Sequence, residues 1–431
     1  MATTTQEAMA STAGLNQQRL FLLSCIGLTV TAMTFAIRAG MLNDLGVEFA
    51  LTKEQLGWTA AMAFIGFPAA TVLGGLLYNS LGPRLIMIIA FFGHLLGLTL
   101  TIFAGGFWGL MISTFLVGFA NGSVEAACNP MIANIYNNNK TTMLNKFHVW
   151  FPGGIVIGSL AALAVKKLFG GEGVSTWQLE IGVMIIPTII YGWMVFTTKF
   201  PDVSLDKSDE TNTGKNLLHM ISPLFILLCV IMTITATTEL GTQQWVGSLL
   251  ESSGANPLVI LAIVTGLMAI GRYFAGPLVH ALNPIGVLLG SAVVTTLGVF
   301  LLSIATGPMV YLAAIVFAIG VCYFWPTMIG FVGEYMPKTG ALGMSVVGGA
   351  GMMGLAMWQP VIGSWIDRAT ATATDAGLTG DAVTLAAGQD TLGKILFFPI
   401  VLIALYLFLF VMRKKINLLS VSPAGIPEAS E

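Results

Sequence analysis

Long apolar runs, each about the length of a membrane-spanning helix, constrain this sequence more than any other feature. A helix needs about 20 mostly apolar residues to cross the hydrocarbon core of a bilayer. Twelve such runs are present, and we predict a spanning helix near each of them: residues 20–42, 55–78, 84–104, 108–135, 144–167, 178–198, 218–240, 256–280, 285–304, 309–334, 341–365 and 393–412. The sequence therefore predicts an all-α polytopic membrane protein with twelve transmembrane helices.

The composition supports lipid as the main solvent of the chain. Charged residues make up 9% of it, against about 25% in an average soluble domain. The net charge of −2 gives no reason to expect nucleic acid or another strongly charged partner. The four cysteines lie inside apolar runs without metal-ligand or disulfide spacing. With no P-loop signature and no nucleophile–base constellation, we expect no enzyme, cofactor, metal site or ATP-driven pump.

Basic residues define the predicted topology. With the N-terminus inside, twelve of the 18 Lys and Arg residues fall on the cytoplasmic side, as the positive-inside rule requires. We therefore expect a multi-pass protein of the bacterial inner membrane with both termini in the cytoplasm. The most polar run, 199–217, is predicted to link a six-helix half at 1–198 to a second half at 218–413, with a cytoplasmic tail at 414–431. Residues 366–392 are predicted to form an outer loop.

The two predicted halves carry a sequence repeat. Gly, Leu, Leu and Pro recur at identical spacing in residues 75–83 (GLLYNSLGP) and 276–284 (GPLVHALNP), which follow the second and eighth predicted helices. A weaker echo pairs residues 129–130 with 325–326, where a proline stands second each time. Parallel repeats of six helices are the architecture of the major facilitator fold.

Glu125 is the strongest functional candidate, because an ionisable group at membrane depth needs a partner, a water-filled cavity or a function. Gly118, Gly122, Glu125 and Asn129 are spaced by four, three and four residues, so they share one face of the predicted fourth helix. We expect this small and polar face to line a cavity. Desolvation disfavours an ionised carboxylate there, which suits reversible protonation. A glutamate held by an interhelical hydrogen bond is the structural alternative.

Further polar and aromatic residues are candidates for binding substrate hydroxyls. Glu239 and Gln243 form an i, i+4 pair at the predicted outer end of helix seven, next to Gln244 and Trp245. Carboxylate, amide and indole groups together suit a sugar, although an interfacial aromatic belt is the alternative. The other candidates each have a structural alternative in hydrogen bonding or helix packing: Asn129, Asn145, His148, Trp325, Trp358 and Gln359.

The charged residues of helix one have two interpretations. Arg38 lies about 27 Å along that helix at 1.5 Å per residue. It either snorkels to the outer surface or points inward to pair with Asp44, Glu125 or an anionic substrate. Arg272 lies towards the predicted cytoplasmic end of helix eight, where we expect a structural role.

Several motifs resemble a known family. Residues 75–84 resemble the major facilitator signature between helices two and three, with Asn79 at its acidic place. Residues 124–130 (VEAACNP) and 144–148 (LNKFH) resemble the fucose–proton symporter family of that superfamily, which includes glucose/galactose carriers. Residues 271–276 (GRYFAG) also match. The resemblance implies secondary active transport of a neutral monosaccharide, driven by protons, with the family's helix-four glutamate at Glu125.

The sequence departs from that family at three places. The helix-one aspartate of the family falls on Asn43, with Asp44 beside it. Either Asp44 takes over or the coupling differs, which leaves a sodium-coupled or uncoupled carrier open. A polar family position in helix five falls on Phe151, so the exact sugar does not carry over. Arg38 is not part of the family pattern and points to an acidic sugar.

Together these observations predict a sugar–cation symporter that works by alternating access, with protons favoured over sodium. Coupling is expected to involve Glu125, Asp44, Asn43 and Arg38. We expect a monomer in the lipid bilayer that binds its small-molecule substrate and the cation near mid-membrane, between the two halves. The first rival is an organic-anion carrier of the same fold, with Arg38 as the counter-charge. A membrane sensor that binds a sugar without moving it is the second.

Overall fold

The computed structural model describes residues 15–51, 53–171, 175–201, 213–243, 251–255 and 257–420. Within these ranges the chain forms fifteen α-helices: α1 (Gln17–Glu48), α2 (Lys53–Ile102), α3 (Phe107–Ile135), α4 (Lys140–His148), α5 (Trp150–Phe169), α6 (Trp177–Thr197), α7 (Thr213–Met220), α8 (Pro223–Ala236), α9 (Pro257–Tyr273), α10 (Ala275–Ile304), α11 (Met309–Val321), α12 (Phe324–Tyr335), α13 (Gly340–Asp375), α14 (Asp381–Ile395) and α15 (Phe397–Ser420).

Most of these helices are long and apolar enough to cross a membrane. Ten such segments occur in the described part of the chain, and a shorter apolar helix lies at Ile263–Tyr273. One of the ten, Trp58–Ile102, has 45 residues, or about 68 Å of helix, which is twice the roughly 30 Å of a bilayer core. The all-α polytopic architecture is confirmed. The count of twelve helices stays a prediction, which the double length of this segment favours.

The long helices α2 and α10 are each interrupted at the same place in the sequence repeat. Gly82 has φ 71° and ψ 165°, and Asn283 has φ 54° and ψ 167°. Each residue precedes a proline, whose ring disfavours helical geometry at the residue before it. The positive φ suits glycine, and asparagine tolerates it better than most side chains. The repeat predicted from sequence is therefore also a repeat of backbone conformation.

One predicted boundary differs from the structure. The expected outer loop at 366–392 is mostly helical, since α13 continues to Asp375 and α14 begins at Asp381. Its many Ala residues favour helix outside an apolar run, a possibility that hydropathy does not reveal. The predicted linker at 199–217 falls largely outside the described residues, as do residues 421–431 of the tail. The limits of the two halves therefore stay a prediction.

The two predicted halves touch closely at one end of the bundle. The Thr141 hydroxyl and backbone N–H of α4 both donate to Glu334 Oε1 of α12, at 2.6 and 3.0 Å. A Cβ on Gly75 of α2 would lie 2.5 Å from the Ser345 Cβ of α13, so only glycine allows this approach. These residues belong to the end that the sequence predicts to be cytoplasmic. The structure is closed there.

Candidate functional site

A cavity of about 10 Å³ lies between the two predicted halves. Seven elements contribute to it, from α3, α4 and α5 on one side to α9, α12, α13 and the segment after α8 on the other. Its lining consists of Glu125, His148, Phe151, Glu239, Leu240, Arg272, Trp325 and Met352. The cavity therefore combines both halves and most of the buried charge that the sequence singled out.

On the N-terminal side, three polar side chains form a hydrogen-bonded series. Asn129 Nδ2 donates to Glu125 Oε2 at 3.2 Å. Asn129 Oδ1 lies 3.1 Å from His148 Nε2, and because an amide oxygen only accepts, this nitrogen carries the proton. All three residues are buried. Glu125 and Asn129 meet because they are one helical turn apart on α3, as their spacing predicted.

The two glycines that share the predicted face with Glu125 have a different task. A Cβ on Gly122 would collide with the backbone carbonyl oxygen of Phe67, and a Cβ on Gly118 with that of Ala63. Both glycines pack α3 directly against α2, while Glu125 and Asn129 continue the same face towards the cavity and His148. The part of this face that carries Gly118 and Gly122 is therefore a packing surface, and not the cavity lining that the sequence predicted.

On the C-terminal side, Arg272 and Glu239 form a buried ion pair. Arg272 Nη2 lies 2.7 Å from Glu239 Oε1, and both residues are 1% exposed. Arg272 Nε also donates to the Cys322 carbonyl oxygen at 2.7 Å. Its Nη1 donates across the interface to the His148 carbonyl oxygen at 3.2 Å. Arg272 therefore contacts both sides of the cavity and fixes the position of Glu239.

The ion pair and the two bonds to carbonyl oxygens agree with the structural role that the sequence suggested for Arg272, and they add a place in the lining of the central cavity. The residue lies in the last turn of α9, yet it faces the cavity and not the membrane surface. The sequence does indicate that Arg272 faces a cavity or a partner, because an arginine within an otherwise apolar helix normally does so. Helical periodicity does not assign that partner, because Glu239 lies in a different segment of the chain.

Glu239 reaches Arg272 from a local irregularity of the backbone. Residues Thr237–Gly241 form a π-helical turn directly after α8, a feature that is frequent at functional sites. The wider turn removes the simple i, i+4 relation expected between Glu239 and Gln243. Gln243 Nε2 instead lies 2.9 Å from Met268 Sδ. The other two members of the predicted cluster, Gln244 and Trp245, lie outside the described residues.

Two buried polar atoms beside the cavity make no hydrogen bond within the described ranges. They are Glu239 Oε2, an acceptor, and Trp325 Nε1, a donor. Glu125 also differs from Glu239 in its charge environment, because among the described residues no Lys, Arg or His nitrogen lies within 4.0 Å of its carboxylate. The central cavity thus contains Glu239, whose charge Arg272 neutralises, and Glu125, which has no basic partner among the described residues. It also contains two polar atoms that are free to bind a ligand.

The helix-one candidates lie elsewhere. Asp44 pairs with Lys166 at 3.3 Å, and both side chains are 41% exposed, so Asp44 is a surface residue. Arg38 is only 9% exposed and does not snorkel to the surface. It lines a second cavity that does not include Glu125 or Asp44. The side chain of Asn43 lies outside the described residues.

Two other predicted binding residues, Asn145 and Trp358, do not line the central cavity. Asn145 Nδ2 donates to the Thr141 carbonyl oxygen at 2.9 Å and to Thr327 Oγ1 at 3.3 Å, which joins α4 to α12. Trp358 packs edge-on against Phe398, with ring centroids 4.7 Å apart. The Gln359 side chain is not among those described. The structure therefore unites Glu125, Asn129, His148, Glu239 and Trp325 and leaves the remaining candidates apart.

Comparison with known proteins identifies the family. The model of the Major Facilitator Superfamily matches residues 20–359, so the chain belongs to this superfamily. The "Solute carrier family 2, facilitated glucose transporter member 10" of Danio rerio is 25% identical over 196 residues, which cover 45% of this chain and 37% of that protein. The "Probable nitrate/nitrite antiporter NarK1" of Thermus thermophilus is 33% identical over 222 residues, 49% of each chain. Each alignment spans less than two thirds of the relative's length.

Solved structures show the same fold over nearly the whole chain. The proton:xylose symporter XylE superposes with a TM-score of 0.75 at 14% identity, covering 92% of this chain and 95% of XylE. The E. coli fucose:proton symporter FucP gives a TM-score of 0.67 at 15% identity, covering 89% and 98%. At such identities the likeness establishes the major facilitator fold.

Proposed function

We propose that this protein is a secondary active transporter that carries a neutral monosaccharide together with a proton, by alternating access about the central cavity. The observation that carries the proposal is Glu125. It is a buried carboxyl group in that cavity, without a basic partner among the described residues, beside a neutralised Arg272–Glu239 pair. The resemblance of its helix to the fucose–proton symporters and the named sugar relatives support the same reading.

The charge of the cavity favours a neutral substrate. With Glu125 protonated and His148 neutral, the remaining charges of Arg272 and Glu239 sum to zero. Loss of the Glu125 proton makes the cavity negative, which disfavours an organic anion and favours the return of a cation. The Arg38 guanidinium, on which the organic-anion alternative depended, lines a different cavity.

The free hydrogen-bonding atoms suit a sugar. A hydroxyl group both donates and accepts, so a polyol is best bound where donors and acceptors are mixed. Glu239 Oε2 is available as an acceptor and Trp325 Nε1 as a donor. The Trp325 ring also offers an apolar face against which the carbon skeleton of a sugar ring can pack.

The size of the cavity implies that the substrate binds another conformation. A volume of about 10 Å³ holds roughly one water molecule, whereas small-molecule sites usually measure about 300–1,000 Å³. The two halves must therefore separate at the central cavity before a sugar enters. Contacts at the closed end of the bundle, such as that between Thr141 and Glu334, would have to break before the substrate is released on that side of the membrane.

Proton coupling follows from what an ionised Glu125 requires. A carboxylate at membrane depth costs about 3 kcal/mol, and a hydrogen bond from the neutral Asn129 amide offsets only part of that cost. Protonation removes this cost and lets the halves close around the substrate. When the proton leaves, Arg272 is the cation in the same cavity towards which the carboxylate can turn.

We further propose that the carrier is a monomer of the bacterial inner membrane with both termini in the cytoplasm. The excess of Lys and Arg in the predicted cytoplasmic segments supports this orientation. The closed end of the structure then faces the cytoplasm, and the next opening of the central cavity would be towards the outside.

Uptake of radiolabelled hexoses into proteoliposomes tests the proposal. One arm imposes a pH gradient, a matched arm imposes a sodium gradient, and a third offers a uronic acid beside its neutral parent sugar. Accumulation of a neutral hexose with the pH gradient alone supports proton symport. Accumulation with the sodium gradient alone would identify sodium as the coupling ion. Uptake of the uronic acid alone would identify an organic anion as the substrate. Saturable binding without internalised label would identify a sensor.

A further inference from the structure

A second cavity, of about 30 Å³, lies inside the N-terminal half. Its walls come from α1, the later part of α2, α3 and α6, and none of its lining residues lines the central cavity. Apolar side chains form most of the wall. The polar groups are Arg38 and the three threonines Thr34, Thr101 and Thr114, and no acidic side chain of the described chain lines it.

Arg38 is the feature that requires an explanation. The residue is 91% buried, since only 9% of it is exposed, and its Nη1 atom has no hydrogen-bond partner among the described residues. Its guanidinium carbon lies 5.4 Å from the Phe35 ring centre and 6.0 Å from that of Phe64. Such ring contacts are attractive, but they do not supply a negative charge. Buried charges in proteins are normally paired or coordinated.

The nearest carboxylate in sequence does not serve as that partner. Asp44 pairs with Lys166 at the surface, and no carboxylate oxygen within the described ranges lies within 4.0 Å of an Arg38 nitrogen. The cavity therefore presents a positive charge with an unused hydrogen-bond donor.

Thr114 supplies a second donor. The Thr34 hydroxyl donates to the Thr31 carbonyl oxygen at 2.7 Å, and the Thr101 hydroxyl donates to that of Gly97 at 2.8 Å. The Thr114 hydroxyl makes no such bond in the described structure, so its hydrogen is available to an occupant of the cavity.

A buried polar series holds the walls of the cavity in place. Tyr191 OH lies 2.8 Å from His94 Nδ1, and His94 Nε2 lies 2.8 Å from Asn121 Oδ1. Asn121 Nδ2 in turn donates to Thr34 Oγ1 at 2.9 Å. This series connects the same four segments that form the cavity, and it ends at the cavity wall. The site is thus built on rigid helices.

We infer that this cavity binds a small monatomic anion of the chloride class, with Arg38 as its counter-charge and Thr114 as a second hydrogen-bond donor. The volume of about 30 Å³ accommodates one or two particles of water size, so an organic acid or a sugar does not fit. A halide also tolerates the apolar wall, because it needs few hydrogen bonds. The inference does not depend on the sugar or on the coupling ion.

Crystals of the full chain soaked in bromide test the site directly. We expect an anomalous peak, about one ion per chain, within hydrogen-bond distance of the Arg38 guanidinium. A peak at this position supports the inference. Its absence, with bromide bound elsewhere or not at all, overturns it, and this measurement needs no variant.

Thermal stability in detergent provides the second test. The unfolding midpoint is measured in sodium chloride and in sodium gluconate at equal ionic strength, for wild type, Arg38→Gln and Arg19→Gln. Arg19 lies on the same helix but is bound at the surface by Thr197 and Trp193. Because a ligand stabilises the state that it binds, chloride should raise the midpoint of wild type and of the Arg19 variant and leave that of Arg38→Gln unchanged. An equal chloride effect in all three proteins contradicts the inference.

Discussion

Replacing Arg272 by glutamine should destabilise the protein strongly, and replacing Glu239 as well should restore most of the loss. The single change removes three hydrogen bonds, to Glu239, His148 and Cys322, at 2.7, 3.2 and 2.7 Å. It also leaves the Glu239 carboxylate ionised in a site that is 1% exposed. The unpaired charge, and not the lost contacts, is expected to dominate.

The magnitude follows from the burial of the pair. Removing one partner of a buried ion pair costs about 3–5 kcal/mol, whereas neutralising both partners is often nearly neutral. The double variant Arg272→Gln/Glu239→Gln still lacks the hydrogen bonds to two carbonyl oxygens, at about 1 kcal/mol each. We therefore expect the double variant to be more stable than Arg272→Gln alone by about 1–3 kcal/mol, so the two losses are far from additive.

Thermal unfolding of the four proteins of this cycle, followed in detergent, measures the coupling. The exposed pair Lys394–Asp390 is the matched control. Its separation of 2.6 Å is close to the 2.7 Å of the buried pair, while its exposure limits its worth to about 0.3–0.5 kcal/mol. Lys394→Gln should therefore leave the midpoint almost unchanged. Additive losses in the Arg272/Glu239 cycle would refute the ion pair as the organising contact of the site.

Two further outcomes are expected. Gly75→Val should shift the protein away from the closed arrangement by about 5- to 150-fold, since overpacking against Ser345 costs about 1–3 kcal/mol. Distances between spin labels on the two halves should lengthen. Gly182→Ala should not change them, because no described atom lies within 4 Å of its added methyl group. Asp44→Asn should keep proton-driven uptake and change stability by less than about 1 kcal/mol, because its pair with Lys166 is exposed. Loss of proton coupling in the Asp44 variant would show that Asp44 takes part in the transport mechanism.

The sequence predicts the parts of this molecule that depend on local chemistry. Apolar length identifies the spanning helices, and the prolines after Gly82 and Asn283 mark the places where two long helices are interrupted. Glu125 and Asn129 are correctly expected to lie together, because one turn of helix separates them. In each case the relevant contact lies within a few residues along the chain.

Contacts between helices are what the sequence does not reveal. Arg272 and Glu239 belong to different helices, and no periodicity states which buried charges meet. The π-helical turn at Thr237–Gly241 depends on tertiary packing and has no clear signature in its residues. Trp325 and Trp358 are the same residue type, and both were binding candidates. Trp358 packs on Phe398, whereas Trp325 lines the central cavity. The orientation of each helix about its own axis decides such cases.

Proton-driven accumulation by the Glu125→Gln variant tests the central claim most directly. In proteoliposomes with a pH gradient of one unit, symport of one proton per sugar supports about tenfold accumulation, because tenfold corresponds to 1.4 kcal/mol. The control is Glu180→Gln, a glutamate of the same half that is 1% exposed but outside the central cavity. We predict that Glu125→Gln exchanges labelled sugar across the membrane without accumulating it, while Glu180→Gln does both. Accumulation by Glu125→Gln at the wild-type level would contradict the account.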